Sequence, residues 1–267
     1  MGLYFRECEK GHKSMFFQVV IESTILYCKI NSTSGRMKKH VVVISGAGIS
    51  AESGVKTFRD SDGLWENHRI EDVATPQAWI QNQELVLDFY NQRRKQLLEV
   101  EPNAAHRALV ELEAGFDVTI ITQNVDNLHE RAGSSNVIHL HGQLTQSKSS
   151  IDEFETYDID GWELKKGQLC SHGCQLRPNI VWFGEAVPMM GVASNIVDSS
   201  DILLVIGTSL NVYPAASLAD LSDPSIPIYL IDPGSPEIRP HKSLHHIKEK
   251  AGAALPRLVQ NLLGSDQ

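Results

Sequence analysis

Hydrophobic residues along this chain gather in short runs that are apolar almost throughout, as buried parallel strands are. Stretches with helical spacing separate them: apolar positions recur through residues 76–100, and Pro102 opens a second helical stretch, since proline suits a first turn. The predicted strands are residues 41–44, 118–122, 137–142, 179–183, 202–206 and 226–231. Strands that alternate with helices predict an α/β fold with a doubly wound parallel sheet.

The first predicted strand runs into a glycine-rich turn. Gly46 and Gly48 are followed by small residues through Ala51, which gives the pattern G-x-G-x-x-A. Glycines at such positions let backbone N–H groups approach a phosphate, and the N-terminus of a following helix attracts it. A dehydrogenase would add a second strand and an acidic ribose ligand about 20 residues on. Here residues 56–65 are polar and aromatic, which favours a loop that folds over a bound cofactor.

Polar runs follow the strand ends, which is where open α/β sheets place their ligands. The runs are residues 46–50, 123–126, 141–142, 207–209 and 232–234. Any one of them is ordinary loop chemistry. Five such runs after successive strands predict one long ligand that lies across the edge of the sheet.

Composition limits the classes of function. The chain has 267 residues, 42% hydrophobic and 21% charged, so it can bury a full globular core. Its net charge of −9 argues against a nucleic-acid-binding surface, although it would attract basic protein substrates. Four cysteines, at positions 8, 28, 170 and 174, are too few and too uneven for a disulfide scaffold. No apolar run approaches the roughly 20 residues of a membrane span, and we expect a cytoplasmic protein with no membrane partner.

Residues 1–36 differ in character from the rest of the chain. Their apolar stretch is interrupted by Glu22 and no small-residue cleavage site comes after it, so a secretory signal is not expected. Met37 stands just before the first strand, and we expect residues 1–36 to be an extension that the fold does not need. An extra helix or strand packed on the domain is the alternative. The predicted domain is 37–267, with a Rossmann-like core at about 38–66, 103–145 and 178–267, a helical segment at about 67–102 and a small module at about 146–177.

Several motifs together resemble the sirtuins, in the same order along the chain. They are Gly46-Ala-Gly-Ile-Ser, Phe58-Arg-Asp, Thr122-Gln-Asn-Val-Asp, His139-Leu-His-Gly and Gly207-Thr-Ser. The resemblance covers about residues 38–260 and is strongest to the bacterial and desuccinylase branch. It implies NAD-dependent removal of acyl groups from protein lysine, giving nicotinamide and O-acyl-ADP-ribose. It further implies a Rossmann domain that holds NAD, a small module that usually binds zinc, and an acyl-lysine peptide in the cleft between them.

The resemblance also implies roles for individual residues. His141 is the expected general base, a task that suits imidazole because its ordinary pKa lies near neutral pH. The expected NAD-binding residues are Gly46, Ala47, Gly48, Ser50, Phe58, Arg59, Trp65, Gln123, Asn124, Asp126, Gly207, Thr208, Ser209, Asp232, Gly234 and Ala251. The expected substrate-binding residues are Ala51, Tyr90, Arg93, Val181, Trp182, Phe183 and Gly184. The structural alternatives are a satisfied histidine at a strand end, Asx-turn capping by Asn124 and Asp126, and a surface arginine at Arg59.

Tyr90 and Arg93 point to the kind of acyl group. Spaced three residues apart on a helix, they share one face. They resemble the residues with which the desuccinylase branch holds the carboxylate of succinyl- or malonyl-lysine, a group that a guanidinium fork matches. Ala51 leaves room for a longer acyl chain. A solvated basic face is the alternative, because Arg94 and Lys95 follow directly.

The chain departs from the sirtuin pattern in the small module. The family shows two separated pairs of cysteines, whereas here only Cys170 and Cys174 remain and residues 143–155 contain none. With His172 they make three ligands at most, and a carboxylate would have to complete the four that a structural zinc needs. We therefore expect no metal, with Cys170 and Cys174 as weak candidate ligands. Asp232 is a smaller departure, since asparagine is usual there.

Two other functions remain open on the same residues. One is an NAD glycohydrolase or mono-ADP-ribosyltransferase, in which water or a protein nucleophile takes the ribose. The other is a regulatory module that binds NAD without turnover. His141 counts against the second, because binding alone needs no base. The sequence does not indicate an oligomeric state.

Overall fold

The computed structural model describes residues 38–55, 64–65, 68–152, 154–236 and 238–265. The expected site residues Phe58 and Arg59 and the extension at 1–36 lie outside the described residues, and so does the side chain of Trp65. The chain divides into two units, Met1–Lys38 and Lys39–Gln267, and the second holds every element below.

The strands and helices follow one another in an order that alternates through most of the chain. The strands are β1 His40–Ser45, β2 Leu64–Trp65, β3 His68–Arg69, β4 Asp117–Thr122, β5 Val137–His139, β6 Gly142–Lys148, β7 Thr156–Asp158, β8 Arg177–Ile180, β9 Ile202–Ile206, β10 Ile228–Ile231 and β11 Leu244–Ile247. The α-helices are α1 Ile70–Val73, α2 Pro76–Gln81, α3 Gln83–Glu99, α4 Ala104–Leu112, α5 Leu128–Ala132, α6 Met190–Asp198 and α7 Ala251–Ser265. Short 3₁₀ helices lie at Ala47–Ile49, Ala51–Ser53 and Ala215–Leu221.

Six parallel strands form the main sheet, in the order β11-β10-β9-β1-β4-β5. The order reverses between β1, β4 and β5 on one side and β9, β10 and β11 on the other. Such a reversal opens a crevice at the carboxyl ends of the central strands, where ligands bind. The predicted doubly wound α/β fold is confirmed. The sequence analysis missed β11, because two histidines interrupt its apolar pattern.

Both faces of the sheet are buried at its central strands β1 and β9, which explains why these strands are apolar almost throughout. Val41 and Val43 of β1 pack in a cluster with side chains of α4 and α7. Val42 and Ile44, which point to the opposite face, pack in a second cluster with α6 and the 3₁₀ helix Ala215–Leu221. The glycine turn after β1 is therefore held on a strand that is enclosed on both sides. No helix in the described part of the chain is long and apolar enough to cross a membrane.

The predicted parallel strand at residues 179–183 is wrong. Arg177–Ile180 pairs antiparallel with β6 in a separate sheet of order β7-β6-β8. Ile180 and Trp182 pack in a third apolar cluster with α3 and the small module, so burial alone explains the apolar run. The stretch at 143–177, which is poor in sequence pattern, contains most of β6 and all of β7.

The helical stretch predicted at residues 76–100 is two helices that meet at Asn82. Thr75 caps α2, accepting the Ala78 N–H at 3.1 Å, and Pro76 occupies the first turn. Asn82 ends α2 and caps α3 through the Leu85 N–H, also at 3.1 Å. Helix α3 then runs unbroken for 17 residues, and it carries Tyr90 and Arg93 on its buried side.

Candidate active site

One cavity, of about 560 Å³, lies at the carboxyl ends of β1, β4, β9 and β10 and extends beneath α3. Most of the described residues expected at the site line it. They are Gly46, Ala47, Gly48, Ser50, Ala51, Tyr90, Arg93, Gln123, Asn124, Asp126, His141, Val181, Trp182, Phe183, Gly184, Gly207, Thr208, Ser209, Asp232 and Ala251. The five polar runs identified in the sequence thus contribute to a single cavity. Gly234 is set back from it and donates its N–H to Asp232 Oδ1 at 2.7 Å.

The glycines after β1 and β9 are required by a close approach of two backbones. The Gly48 N–H donates to the Gly207 carbonyl at 2.8 Å, and a Cβ on Gly48 would lie 2.6 Å from the Gly207 Cα. Gly207 has a φ of +59°, in the left-handed region that favours glycine. The two loops can pack back to back only while both positions lack side chains. The result is a wall of bare backbone at the cavity, in which the N–H groups of Gly46, Gly48 and Gly207 are bonded to the carbonyls of Ile206, Gly207 and Ile231.

A buried hydrogen-bond chain supports this wall from below. The Asn124 amide donates to the Gly46 carbonyl at 3.2 Å and to Ser50 Oγ at 3.1 Å, and Ser50 Oγ donates to Asp126 Oδ2 at 3.0 Å. The other oxygen of Asp126 accepts the Leu128 N–H at 3.1 Å, an Asx turn at the start of α5. Burial raises the pKa of Asp126, and hydrogen bonds from Leu128 and Ser50 oppose that rise. The Asx-turn alternative is thus realised at Asp126, although the residue also lines the cavity.

The ring of His141 is oriented by the backbone. Its Nδ1 lies 3.0 Å from the Gln123 carbonyl oxygen. Because a carbonyl only accepts, Nδ1 carries the proton and Nε2 presents a lone pair. Burial lowers the pKa of His141 below its ordinary value, against a smaller opposite effect of the Gln123 hydrogen bond. At neutral pH the ring is therefore a neutral imidazole, the form that can take up a proton.

Tyr90 and Arg93 are both enclosed where α3 meets the cavity, with 0% and 7% of their surface exposed. Burial raises the pKa of Tyr90, so its hydroxyl stays protonated. The neighbouring Arg94 is buried on another side of the helix and donates to the carbonyls of Trp162 and Leu144. Burial lowers the pKa of Arg94 to about 10. The alternative of a solvated basic face does not hold for either arginine.

The loop after β8 forms the wall between His141 and α3. The Val181 N–H donates to the His141 carbonyl at 2.9 Å, and the Phe183 N–H donates to the Ala74 carbonyl at 3.0 Å. The indole Nε1 of Trp182 donates to the Tyr90 hydroxyl at 3.1 Å. The apolar residues 181–183, which the sequence predicted as part of a strand, thus form a loop. This loop is hydrogen-bonded to His141 at one position and to Tyr90 at the next.

Sequence reasoning missed an ion pair beside this loop. Arg177 donates to both carboxylate oxygens of Glu185, at 2.7 and 2.9 Å, and its guanidinium carbon lies 3.5 Å from the Trp182 ring centroid. Burial acts to raise the pKa of Glu185, but Arg177, the Trp182 N–H and the charge of Lys148 together outweigh it, and the pKa is lowered. Glu185 lines the cavity, as do Glu52, Gln96 and Lys250, which were also missed. Glu185 lies eight positions after Arg177, and no sequence motif marks the pairing.

The small module does not fit a structural zinc. Cys170 Sγ accepts the hydroxyl hydrogen of Ser149 at 3.2 Å, and Ser149 Oγ in turn accepts the N–H groups of Ile151 and Asp152 at 3.3 and 3.2 Å. The Cys170 N–H donates to the Cys174 carbonyl at 2.8 Å. Among the described residues, no group of three or more His, Cys, Asp or Glu is placed to hold a metal ion. A serine hydroxyl that is committed to these bonds cannot serve as a fourth ligand.

Comparison with known proteins identifies the family and the fold. Residues 46–214, which include the glycine turn, His141 and the loop after β9, match the model of the Sir2 family. The chain belongs to the Sir2 family. The predicted resemblance to the sirtuins is therefore confirmed.

Several relatives and solved structures carry informative descriptions. A Bacteroides thetaiotaomicron protein, 50% identical over 84% of this chain and 98% of its own length, is described as an NAD-dependent protein deacylase. So is a Helicobacter pylori protein, 52% identical over 84% of this chain and 98% of its own. A Sir2 homologue in complex with NAD superimposes with a TM-score of 0.77 at 38% identity, over 86% of this chain and 91% of the homologue.

Proposed function

We propose that this Sir2-family chain is an NAD-dependent protein-lysine deacylase that prefers acyl groups ending in a carboxylate. Its relatives at about half identity, matched over nearly their whole length, are described as NAD-dependent protein deacylases. Related structures hold NAD or ADP-ribose. The predicted activity and cofactor are thus borne out, and the preference for acidic acyl groups is our own extension.

The glycines at positions 46, 48 and 207 let the turn after β1 pack against the loop after β9, because a Cβ at any of the three would clash with the facing loop. The bare backbone that results lines the cavity where we expect the pyrophosphate of NAD to bind. NAD supplies the ADP-ribose that receives the acyl group as nicotinamide departs. Asn124 and Asp126 hold the glycine turn in place through Ser50, and Asp232, 2% exposed, lines the same cavity near β10. These residues bind and orient; none of them needs to exchange a proton.

His141 is the group placed to take a proton. Its Nδ1–H is committed to the Gln123 carbonyl, so Nε2 is the basic atom, and burial keeps the ring neutral near pH 7. A hydroxyl brought to Nε2 becomes a better nucleophile as its proton moves onto the imidazole. The wall formed by residues 181–184 and α3 helps to enclose this position, which strengthens the interaction by excluding water.

The observation that carries the acidic-acyl preference is the pair of buried side chains on α3. Tyr90 and Arg93 line the same cavity as His141 and occupy its α3 side. An arginine that is 7% exposed, beside an un-ionised phenol, is a binding site for an anion rather than for a methyl group. Ala51, at the edge of the same cavity, adds no bulk beyond its methyl.

Replacing Arg93 tests this preference. Arg93→Met keeps the length and apolar stem but removes the fork, so desuccinylation should fall far more than deacetylation. Charged hydrogen bonds are worth about 1.5–3 kcal/mol, or roughly 10- to 150-fold in kcat/KM. Arg94→Met is the matched control, since it removes the adjacent buried guanidinium, which donates to the Trp162 and Leu144 carbonyls. It should cost stability without changing the ratio of kcat/KM for succinyl- and acetyl-lysine forms of one peptide. Equal losses on both substrates in Arg93→Met would refute the carboxylate site.

Product analysis separates the activity from its alternatives. The wild-type protein with NAD and a succinyl-lysine peptide should give O-succinyl-ADP-ribose and free lysine peptide by mass spectrometry. Free ADP-ribose with an unchanged peptide would instead indicate a glycohydrolase, and an ADP-ribosylated protein would indicate a transferase. If no NAD were consumed, the remaining alternative would be a regulatory module that binds NAD without turnover.

The surroundings of the enzyme are part of the same proposal. Its substrates are acylated lysines of proteins, and a net charge of −9 favours basic segments over nucleic acid or anionic membrane. Cys170 and Cys174 are both free thiols, which agrees with a reducing cytoplasm.

A further inference from the structure

We propose that Trp182 directs the Tyr90 hydroxyl, and that the ion pair Arg177–Glu185 holds Trp182 in place to do so. Trp182 is thus a positioning residue for the selection of acidic acyl groups. This inference rests on the proposed function, since it assigns the selectivity of the same site to side chains outside the Tyr90–Arg93 pair.

The polarity of one hydrogen bond carries the first step. The indole N–H can only donate, and it lies 3.1 Å from the Tyr90 oxygen. The phenol oxygen is therefore an acceptor toward Trp182, and its own hydrogen must point in another direction. Tyr90 lines the cavity together with Arg93, so a substrate carboxylate there meets a phenol with its donor direction restricted. An acetyl group ends in a methyl and gains nothing from this arrangement.

The ring of Tyr90 has little freedom of its own. Tyr90 is 0% exposed, and the ring of Phe89 packs edge-on against it with centroids 5.0 Å apart. Burial also raises the pKa of the phenol, so the hydrogen stays on the oxygen across the working range of pH. The remaining variable is the torsion of the hydroxyl, which Trp182 restricts.

The second step concerns what holds the indole. The Arg177 guanidinium carbon lies 3.5 Å from the Trp182 ring centroid, a close cation–π contact. Glu185 binds Arg177 at 2.7 and 2.9 Å, and its Oε2 also accepts the backbone N–H of Trp182 at 2.8 Å. One carboxylate thus fixes both the backbone of Trp182 and the cation that stacks on its ring. The pair is largely enclosed, with side-chain exposures of 10% and 23%.

Trp182→Phe tests the hydrogen bond while keeping an aromatic ring in the loop. Losing the orientation of one neutral donor should lower kcat/KM for a succinyl-lysine peptide by roughly three- to tenfold more than for its acetyl form. The change should lie mainly in KM, because the terminal carboxylate of the acyl chain is bound and does not react. Trp79→Phe is the matched control: its ring centroid lies 5.8 Å from that of Trp182, and it should leave the succinyl-to-acetyl ratio unchanged.

A double-mutant cycle distinguishes positioning from general support of the fold. If Trp182 acts through Tyr90, Trp182→Phe should have no further effect on the ratio once Tyr90→Phe has removed the hydroxyl. Glu185→Gln offers a second route, because it keeps a carbonyl acceptor for the Trp182 N–H but loses the charge that holds Arg177. Glu185→Gln should shift the succinyl-to-acetyl ratio of kcat/KM in the same direction by less. It replaces Trp182→Phe as the test if that variant does not fold.

The outcomes separate this inference from the proposed function. A selective loss in Trp182→Phe that disappears in the Tyr90→Phe background supports it. An equal loss on both substrates in Trp182→Phe overturns it, and so does an effect of Trp182→Phe that is the same with and without the Tyr90 hydroxyl. In either case, a selective loss in Arg93→Met would still support the carboxylate site. A wild-type protein with no desuccinylase activity would remove the proposed preference for acidic acyl groups and this inference together.

Discussion

At the scale of single residues, His139 and His141 stand two positions apart in one motif but have different surroundings. Both ring nitrogens of His139 are engaged, Nδ1 with the Asn124 carbonyl at 3.0 Å and Nε2 with Glu130 at 2.6 Å. His141 has its Nδ1 on the Gln123 carbonyl and faces the cavity. His139 therefore supports the strand end, and His141 is the histidine of this motif that we propose as the base.

His141 should control the acid side of the pH profile. Burial lowers its pKa below the ordinary value of about 6.5, and the neutral ring is the active form. We expect kcat/KM to be level near neutrality and to fall with acid only below about pH 6.5. His141→Ala should lower deacylation by roughly 10²–10⁴-fold and abolish this limb, with NAD binding nearly intact. Measuring both profiles with one acetyl-lysine peptide checks this. More than a tenth of wild-type turnover in His141→Ala would remove it from the mechanism.

Much of the candidate site could be predicted from the residue types alone, because its residues lie in short contiguous motifs. The glycines, the Gln-Asn-x-Asp run and His141 lie in contiguous motifs, and each motif follows a strand whose end the sheet brings to one edge. Glu185 could not be found in this way, because its role depends on Arg177 folding back from β8 onto the Trp182 ring. Such a contact depends on the path of the loop at 181–185.

At the scale of elements, the small module shows how a wholly apolar run can mislead. The run at 179–183 has the composition of a central parallel strand, but β8 pairs with β6 and its neighbours pack beneath α3. The apolar composition of a run indicates that it is buried, but it does not indicate which strand it pairs with. Gly142 of β6 permits the close approach of β8: its φ is +81°, and a Cβ there would lie 2.0 Å from the Asn179 carbonyl oxygen.

The same module should be stable without metal. Ser149 joins Cys170 to two backbone N–H groups, in place of the four ligands of a zinc site. We expect the purified protein to hold less than one equivalent of zinc and to keep its melting temperature in excess chelator. Ser149→Ala should destabilise it by about 1 kcal/mol, with the exposed Ser171→Ala as the control for loss of a hydroxyl from the same module. Stoichiometric zinc by metal analysis, with unfolding on chelation, would show that other side chains complete a site.

At the scale of the whole molecule, the alternation of strand and helix was enough to predict the doubly wound sheet. What it could not supply was the strand order, which decides that β1, β4 and β9 lie together at the crevice. The motifs supplied the missing constraint, because residues that bind one ligand must meet. The family match over residues 46–214 and the superposition on Sir2 homologues agree with that assembly.

Stability of the whole fold should depend on pH through two buried histidines that support the glycine turn from behind. His106 and His129 pack edge to face with ring centroids 4.9 Å apart, and His129 Nε2 lies 3.0 Å from Ser45 Oγ, directly before the turn. Burial lowers the pKa of His106 to about 4, and it lowers that of His129 well below its ordinary value. Between about pH 6.5 and pH 4 the unfolded chain therefore binds more protons than the folded one, so the free energy of unfolding falls as pH falls.

The size of this effect can be judged from His106, which is 0% exposed. A pKa of about 4 in the folded state against about 6.5 unfolded costs about 2 kcal/mol between pH 7 and pH 5. Urea unfolding at the two pH values measures it. His106→Gln keeps an acceptor for the Asn103 N–H but cannot titrate, so it should flatten the dependence by about that amount. A slope in His106→Gln as steep as the wild type's would show that the acid sensitivity arises elsewhere.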